Sequence, residues 1–404
     1  MTRGSVATFL GSSTPPARAD VVIVGAGIGG LAIARELLAR GLRDIVIVER
    51  GYPGSGATGR NVGRIRAMQL TEELTHVAGA CQDKYERMGE ELAFNVLFYR
   101  MGYAWVLYDP DEVERMRDIV AMHHRIGVRS ALLSPDDTLR RLPVLRGGDP
   151  VAGAVLNDDA IVHHDAVVWA HLEHLAGREV QLLTGTAVVS IDVGDAGVEA
   201  VETDRGRIET HVVVNAAGGW SGELNALAGV VAPNRPHRRE VLVTAPLRRS
   251  IDAAITFYRP NESWFNQTLR GEVVMGVVDP GEPAGVEQAS SAAFLRRTAS
   301  IIARKAPALA DATVIRQWAG MYDISPDHLP LVGPTRQLDG WWQANGWSGR
   351  GMLLAPYLAE LLATTMATGA SPARLEMFDP DRFDSAAAEP AATGQDYYAR
   401  YAKR

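Results

Sequence analysis

Apolar and polar positions first become regular at residue 20. Asp20-Val21-Val22-Ile23-Val24 ends in an unbroken β-branched run, the pattern of a strand buried on both faces. Gly25-Ala26-Gly27-Ile28-Gly29-Gly30 follows at once, and residues 31–42 then carry apolar side chains at helical spacing, with Gly41 near the end. A second run, Ile45-Val46-Ile47-Val48, closes on Glu49. The pattern predicts further strands at 103–108, 212–215, 241–244, 263–267 and 272–276. It predicts helices over 71–92, 111–126, 286–306 (stopped by Pro307) and 351 to about 368. No apolar run reaches the ~20 residues that span a bilayer. The longest, 353–366, is interrupted by Pro356, Tyr357 and Glu360. Residues 1–18 read as a loose tail, and the Ala-rich stretch 385–404 as a docking helix or a second tail. No tandem repeat is visible.

The order strand, G-x-G-x-x-G, helix, strand, acidic residue is that of a dinucleotide site. Gly25 permits the tight turn, Gly27 lets the backbone approach a pyrophosphate, and Gly30 lets helix and strand pack closely. Free N–H groups at Ile28 and Gly29 face the phosphates with the positive end of the helix dipole. Glu49, 19 residues after Gly30, is placed for a ribose diol, with Arg50 beside it. An acidic group there disfavours a 2′-phosphate, so NADP is set aside, and FAD and NAD remain.

A plain NAD domain would continue with another strand and helix. This chain instead enters Gly51-Tyr52-Pro53-Gly54-Ser55-Gly56-Ala57-Thr58-Gly59-Arg60-Asn61-Val62-Gly63-Arg64-Ile65-Arg66. A backbone so rich in glycine can run close against a ligand, and its hydroxyls and amides can reach phosphates and ring atoms. A flexible surface loop is the competing reading. Distant segments support a flavin. Val214-Asn215-Ala216-Ala217-Gly218-Gly219-Trp220 runs from a buried strand into small residues, and Val188, earlier in the chain, is a further cofactor-contact candidate. Near the C-terminus come Trp318-Ala319-Gly320-Met321-Tyr322 and Asn345-Gly346-Trp347-Ser348-Gly349-Arg350-Gly351-Met352, the last leading into a helix. The N-terminus of that helix could support the negative charge that builds on a reduced flavin ring.

With these motifs in register from Val21 to about Gly369, the chain resembles the FAD-dependent amine oxidoreductases of the D-amino-acid-oxidase superfamily. It is most similar to the β-subunit type: heteromeric sarcosine oxidase and dye-linked proline, hydroxyproline or opine dehydrogenase. Thr58-Gly59-Arg60-Asn61 and His164-Asp165-Ala166-Val167-Val168-Trp169 carry that narrower likeness. The implied fold is α/β plus α+β: a Rossmann-like FAD-binding domain of the glutathione-reductase type, interleaved with a mostly antiparallel substrate domain. The interleaved motifs assign 19–90, 150–230 and 323–384 to the first, and 91–149 and 231–322 to the second. The implied chemistry is hydride transfer from the carbon beside an amine to flavin N5, followed by hydrolysis of the imine.

An amino-acid-like substrate carries a carboxylate, and a guanidinium fork is its natural partner. Arg66 is the first candidate, because the resemblance places it at the end of the loop beneath the flavin. Arg64 is the second candidate and Arg350 the third. A solvated arginine or a flavin-phosphate contact is the competing reading for Arg66. Three departures from the similar oxidases matter. Gly320 stands where monomeric sarcosine oxidases carry the cysteine that bonds FAD, which implies non-covalent FAD. Leu353 stands where heteromeric sarcosine oxidases carry a lysine. The strand at 272–276 lacks the lysine that helps monomeric enzymes reduce oxygen, which favours a dehydrogenase.

His163, His164, His171 and His174 crowd one segment. A metal site is disfavoured for want of carboxylate or thiolate company, and none is assigned. By resemblance, His164 matches the histidine that attaches a second flavin, FMN, at a subunit interface in heteromeric sarcosine oxidases. Surface histidines around a helix cap at Asp165 are the competing reading. The implied partners are a small-molecule amine, an α-subunit and a small electron-transfer subunit. Two other classes stay open: a pyridine-nucleotide-dependent flavoprotein reductase or hydroxylase, and a flavin subunit whose catalysis needs a partner chain.

Composition narrows this further. At 404 residues, 47% apolar and 22% charged, the chain can bury a sizeable core, which excludes disordered and collagen-like classes. Forty-eight acidic against 41 basic residues leave no basic excess for nucleic acid. The single cysteine, Cys81, excludes an intrachain disulfide and any zinc or iron–sulfur site built from this chain's own thiolates. A cytoplasmic setting is the expectation. Only Lys84, Lys305 and Lys403 are lysines, so none falls at the flavin-side positions where the similar oxidases use one.

Overall fold

The two β-branched runs become neighbouring strands, Val21–Val24 and Ile45–Val48, buried at every position and paired in parallel. The computed structural model describes residues 14–259 and 261–383. In it these strands lie inside a six-stranded sheet ordered Leu331–Pro334, Trp341–Asn345, Val213–Asn215, Val21–Val24, Ile45–Val48, Val180–Leu183. Every pair is parallel except the first. The helix Ile28–Ala39 covers one face and packs on Gly351–Thr368. Leu31, Ile33, Leu37, Leu354, Leu358 and Leu362 share that core at 1% exposure or less. Each such burial contributes about 1.5–3 kcal/mol. The apolar C-terminal run is thus core, and among the described residues no helix is long and apolar enough to cross a membrane.

The second layer is an eight-stranded sheet ordered Val314–Ile324, Arg235–Thr244, Val273–Val277, Ser263–Gln267, Ala254–Phe257, Tyr103–Leu107, Gly153–Asn157, Ser130–Leu133. It is antiparallel except where Ala254–Phe257 runs beside Tyr103–Leu107. Strand alternation sorts its two faces. Ala104, Val106, Ile255, Phe257 and Phe265 pack with Phe294 and Ile302 of the helix Ala292–Lys305. Tyr103, Trp105, Thr256, Trp264 and Asn266, at the intervening positions, face the other layer. A two-residue strand, Arg64–Ile65, joins Ala160–Ile161 and Tyr99–Arg100 in a small bridging sheet.

Several boundaries differ from the sequence pattern. The helix expected to reach residue 42 ends at Ala39, because Gly41 turns left-handed at φ +88°. The helix expected from 286 starts at Ala292. Glu240 accepts the Ser291 N–H at 2.6 Å, holding that residue extended, and the Ser291 hydroxyl then caps Phe294 N–H. The strand expected at 241–244 extends back to Arg235 through a polar run, because all ten residues pair with Val314–Ile324. Gly153–Asn157, expected beside the dinucleotide motifs, is a strand of the larger sheet. The first tail is anchored from Thr14: Gln181 Nε2 donates to Thr14 O, and Glu209 N–H to Ala17 O. Residues 385–404 lie outside the described residues.

Three helices are tied by one buried cation. Lys84 Nζ, on Glu72–Glu91, lies 3.0 Å from Glu36 and 2.7 Å from Glu360. Burial opposes the charge on Glu36, but Lys84 and Arg40 outweigh it and hold its carboxyl below 4.5. Burial likewise opposes the charge on Lys84, and its two glutamates outweigh it and hold the ammonium above 10.5. The cluster therefore contributes fully between those two values. Its contribution fades as pH falls through the folded value of Glu36 or rises through that of Lys84. Lys84→Met is expected to cost about 2–3 kcal/mol in urea unfolding at pH 7, with a smaller deficit in acid. An equal deficit below pH 4 would contradict this account of the cluster.

Candidate active site

Between the two sheets lies a cleft of about 780 Å³, large within the ~300–1,000 Å³ range of cofactor sites. It begins at the glycine turn. A Cβ on Gly30 would lie 2.0 Å from the Gly25 carbonyl oxygen, so only glycine lets the helix start there. Gly25 adopts φ +111°, and a Cβ on it would meet Ala216 O at 2.5 Å. Gly27, Ile28 and Gly29 line the cleft, while Gly30 sits behind them as packing. The Ile28 N–H donates to the Thr58 hydroxyl at 3.0 Å, so the glycine-rich loop closes over the helix N-terminus.

Glu49 reaches the same end. Its carboxylate accepts from Ala26 N–H at 2.9 Å and Gly51 N–H at 2.7 Å, leaving further lone pairs for a diol. Arg50 stacks on Trp220, 4.0 Å from the ring centre, and both line the cleft beside Val188, Ala217 and Gly218. Arg60 pins the loop to the second layer, donating to Ser55 O and Ala319 O, while Trp318 Nε1 donates back to Arg60 O. Asn61 accepts Gly63 N–H at 2.6 Å. Gly59 lies just off this cleft, where a Cβ would meet Gly54 O at 2.5 Å.

At the opposite end the cleft reaches Gly320, Gly349, Arg350, Gly351 and Met352. Gly351 begins the C-terminal helix, whose first turn has no side-chain cap. Gly349 is at φ +81°, and a Cβ there would sit 2.3 Å from the Tyr322 ring. Gly346 and Ser348 lie behind, turning the loop: Ser348 Oγ accepts Ser325 N–H and donates to Gly346 O. Asp323, which sequence reasoning missed, is buried at the end of the strand Val314–Ile324, against this loop. Burial raises its carboxyl to about 7, although backbone N–H groups of 346–348 oppose the rise. Arg350 donates to His328 O.

The arginines divide by what they touch. Arg64 is engaged by the larger sheet: Nε donates to Asn266 Oδ1 at 2.9 Å, Nη1 to Thr256 Oγ1 at 2.9 Å, and Nη2 to Ile255 O. Burial lowers its pKa. Arg66 lies over Trp105 and Tyr103 at 4.9 and 5.4 Å from the ring centres. It meets Tyr103 OH at 3.5 Å, Gln69 at 3.4 Å, and the Tyr258 hydroxyl. Asp159 holds the backbone beyond it, accepting from Ala67 N–H at 2.9 Å, Met68 N–H and Gln82. Burial raises the pKa of Asp159, opposed by Asn157, by the Ala67 and Met68 N–H groups and by Arg66. Arg239, opposite Gly320 in register, also lines the cleft. Thr256, Asn266 and Trp264 were legible in principle as polar or aromatic alternates in apolar strands. Asp159 and Arg239 carry no such signal.

His164 lies elsewhere. It lines a second cavity of about 850 Å³ on the far side of the loop, with His163, Asp165 and Gly59. The His163 and His164 rings stack at 5.0 Å, and burial lowers the His164 pKa. His171 is fully buried with Nδ1 on Val167 O, and burial pulls it and His174 to about 4. Among the described residues no three potential ligands gather as a metal site.

Two helix N-termini, one with its Ile28 N–H taken by Thr58 and one without a side-chain cap, together with one glycine cradle and one continuous cleft, fit a dinucleotide that carries a ring system. Comparisons agree. The chain is 27% identical over 370 residues to the sarcosine oxidase subunit beta of Rhodobacter capsulatus, covering 90% of this chain and 89% of that protein. It is 28% identical to that of an Arthrobacter species, covering 93% and 94%. It superposes on the L-proline dehydrogenase of P. horikoshii with a TM-score of 0.86 at 28% identity, covering 91% and 98%. Glycine oxidase from Geobacillus kaustophilus shares the fold, with a TM-score of 0.82 at 23% identity. The family model for FAD dependent oxidoreductases, DAO, matches residues 20–365, and this protein belongs to that family.

Proposed function

We propose that this chain oxidises the C–N bond of a secondary amine or amino acid, with FAD in the cleft and Arg66 on the substrate carboxylate. One observation carries the reading. Arg66 ends the loop that closes over the glycine turn, and its fork lies in the same cleft against an aromatic wall. The likeness to sarcosine oxidase β-subunits and to an L-proline dehydrogenase supports the substrate class.

When bound, FAD would accept the C–H hydrogen with its electron pair, the N–H proton would leave to solvent as CH–NH becomes C=N, and water would then release the carbonyl product. The chain's own work is binding and orientation. Arg66 presents two N–H groups to a carboxylate, while Arg64, held by Asn266 and Thr256, stiffens the floor beside it. Burial holds the Tyr258 and Tyr322 phenols above their usual range, so both stay protonated and able to donate. Trp105, Tyr103 and Trp264 keep water from the reacting bond. Gly27–Gly29 and Glu49 would hold the adenosine diphosphate, and the N-terminus of Gly351–Thr368 would face the ring.

The role of Gly320 makes FAD non-covalent, so acid precipitation is expected to release it into the supernatant; a yellow pellet would contradict this. Among the described residues no lysine lines the cleft: Lys84 and Lys305 lie in other contacts. The enzyme on this reading is a dehydrogenase; the likeness to sarcosine oxidase β-subunits supports a β-type subunit of a hetero-oligomer, with an α-subunit and a small electron-transfer subunit, in the cytoplasm. The second cavity suits FMN at the subunit interface. Ser55, Arg60, Asn61 and Val62 line both cavities, so one loop would separate the two flavins. His164 contacts FMN there, with or without a bond.

Arg66→Met is expected to raise KM about 100-fold for amines bearing a carboxylate and to change it little for the decarboxylated amine. Equal losses on both would remove this role. Turnover with an artificial dye is expected to exceed turnover with air by at least about tenfold. Comparable rates would refute the dehydrogenase assignment.

A further inference from the structure

Arg239 stands in the substrate cleft as a cation with no acid on it. Its neighbour Arg238 pairs with Glu282 at 2.9 Å. Arg239 points the other way, on the face of Arg235–Thr244 shared with Gly320. Its one hydrogen bond runs from Nη1 to Arg238 O at 2.8 Å, and its guanidinium lies over the Tyr322 ring, 5.5 Å from the centre. Among the described residues no carboxylate comes within the 4.0 Å of an ion pair. Glu262, Glu282 and Asp279 act on it only from farther away, and the last two are engaged by Arg238 and Arg297. Burial pulls its pKa down, the direction expected of a charge withdrawn from water without a partner. A guanidinium held this way costs stability unless something anionic completes it.

The cleft already has one arm for an anion. Arg66 lines the cleft and lies over the Trp105 and Tyr103 rings. Arg64 is committed to the sheet and packed over Trp264 at 4.8 Å. Arg64 and Arg66 share the Tyr103 ring, 5.6 and 5.4 Å from its centre, whereas Arg239 lies over Tyr322. Arg66 and Arg239 thus line one cleft against different aromatic rings. An amine with one carboxylate satisfies only one of these two arginines. We propose that Arg239 is a second carboxylate-binding arm, and that the site is built for secondary amines bearing a carboxylate on each N-substituent, such as an N-carboxyalkyl amino acid. One carboxylate rests on Arg66, the other on Arg239, and the C–N bond lies between. This selects a substrate class within the amine-oxidising reading above and rests on it.

The test uses the FAD-loaded protein. Anaerobic reduction of its flavin is followed with iminodiacetate and an N-(1-carboxyethyl) amino acid, and with the one-carboxylate amines proline and sarcosine. Binding is read separately, from the visible spectrum, with 2,2′-thiodiacetate against (methylthio)acetate, thioethers that have no nitrogen to oxidise. The parent protein is expected to prefer the dicarboxylates in both assays. Arg239→Gln is expected to weaken them about 100-fold while changing proline and sarcosine less than about threefold. Arg239→Lys should keep part of the preference, Glu262→Gln all of it, and Arg66→Met should weaken both classes. Flavin content and melting temperature show whether each variant is folded, and the parent's preference stands as a test if Arg239→Gln is not. No preference in the parent, or an equal loss of both classes in Arg239→Gln, overturns the second arm and leaves amine oxidation standing. A flavin reduced by no amine of either class overturns both.

Discussion

The contact on which the site depends is the approach of Gly30 to the carbonyl of Gly25, where any Cβ would lie 2.0 Å from oxygen. That approach seats the helix Ile28–Ala39 against the end of the first strand and aims its N-terminal N–H groups into the cleft. Other positions follow from it. Thr58 reaches back to Ile28, so the loop carrying Thr58 also sets where Arg64 and Arg66 emerge. Trp347 packs against Gly29, so the C-terminal glycine loop is fixed by the same turn. A methyl group at residue 30 would disturb three distant segments of chain together.

The second constraint is the two-residue period of the larger sheet. Phe257 and Phe265 fill the outer core with the helix Ala292–Lys305, so Thr256, Trp264 and Asn266 must face inward. Thr256 and Asn266 take two donations of Arg64 and the Ile255 carbonyl takes a third, which separates the roles of two arginines two residues apart. Arg64 becomes part of the wall, whereas Arg66 lies on an aromatic surface in the cleft. Function here is divided by packing rather than by residue type.

Much of this was legible in the chain, and the reasons differ by element. The glycine turn, Glu49 and the loop to Arg66 are local, with spacing set by backbone geometry, so the sequence displays them directly. The helix at Gly351–Thr368 was legible because glycine and apolar residues punctuate it. Harder features depend on partners distant in the chain. The polar stretch 235–240 is a strand only because Val314–Ile324 pairs with it, and Arg239 matters only because its neighbours take up the nearby acids. Asp159 reads as one acid among many until Ala67, Met68 and Gln82 are found on it. His164 was legible as a histidine of interest, yet its place in a cavity separate from the first depends on the loop between them.

The account stands on the claim that electrons enter this chain from the carbon beside an amine nitrogen. Anaerobic titration of the FAD-loaded chain, alone and without partner subunits, tests it most directly, with a panel of N-substituted amino acids, the corresponding hydroxy acids, and NADH. The account predicts that members of the amine series bleach the visible flavin absorption, while the hydroxy acids and NADH leave it unchanged. Bleaching by NADH with none by any amine would contradict it.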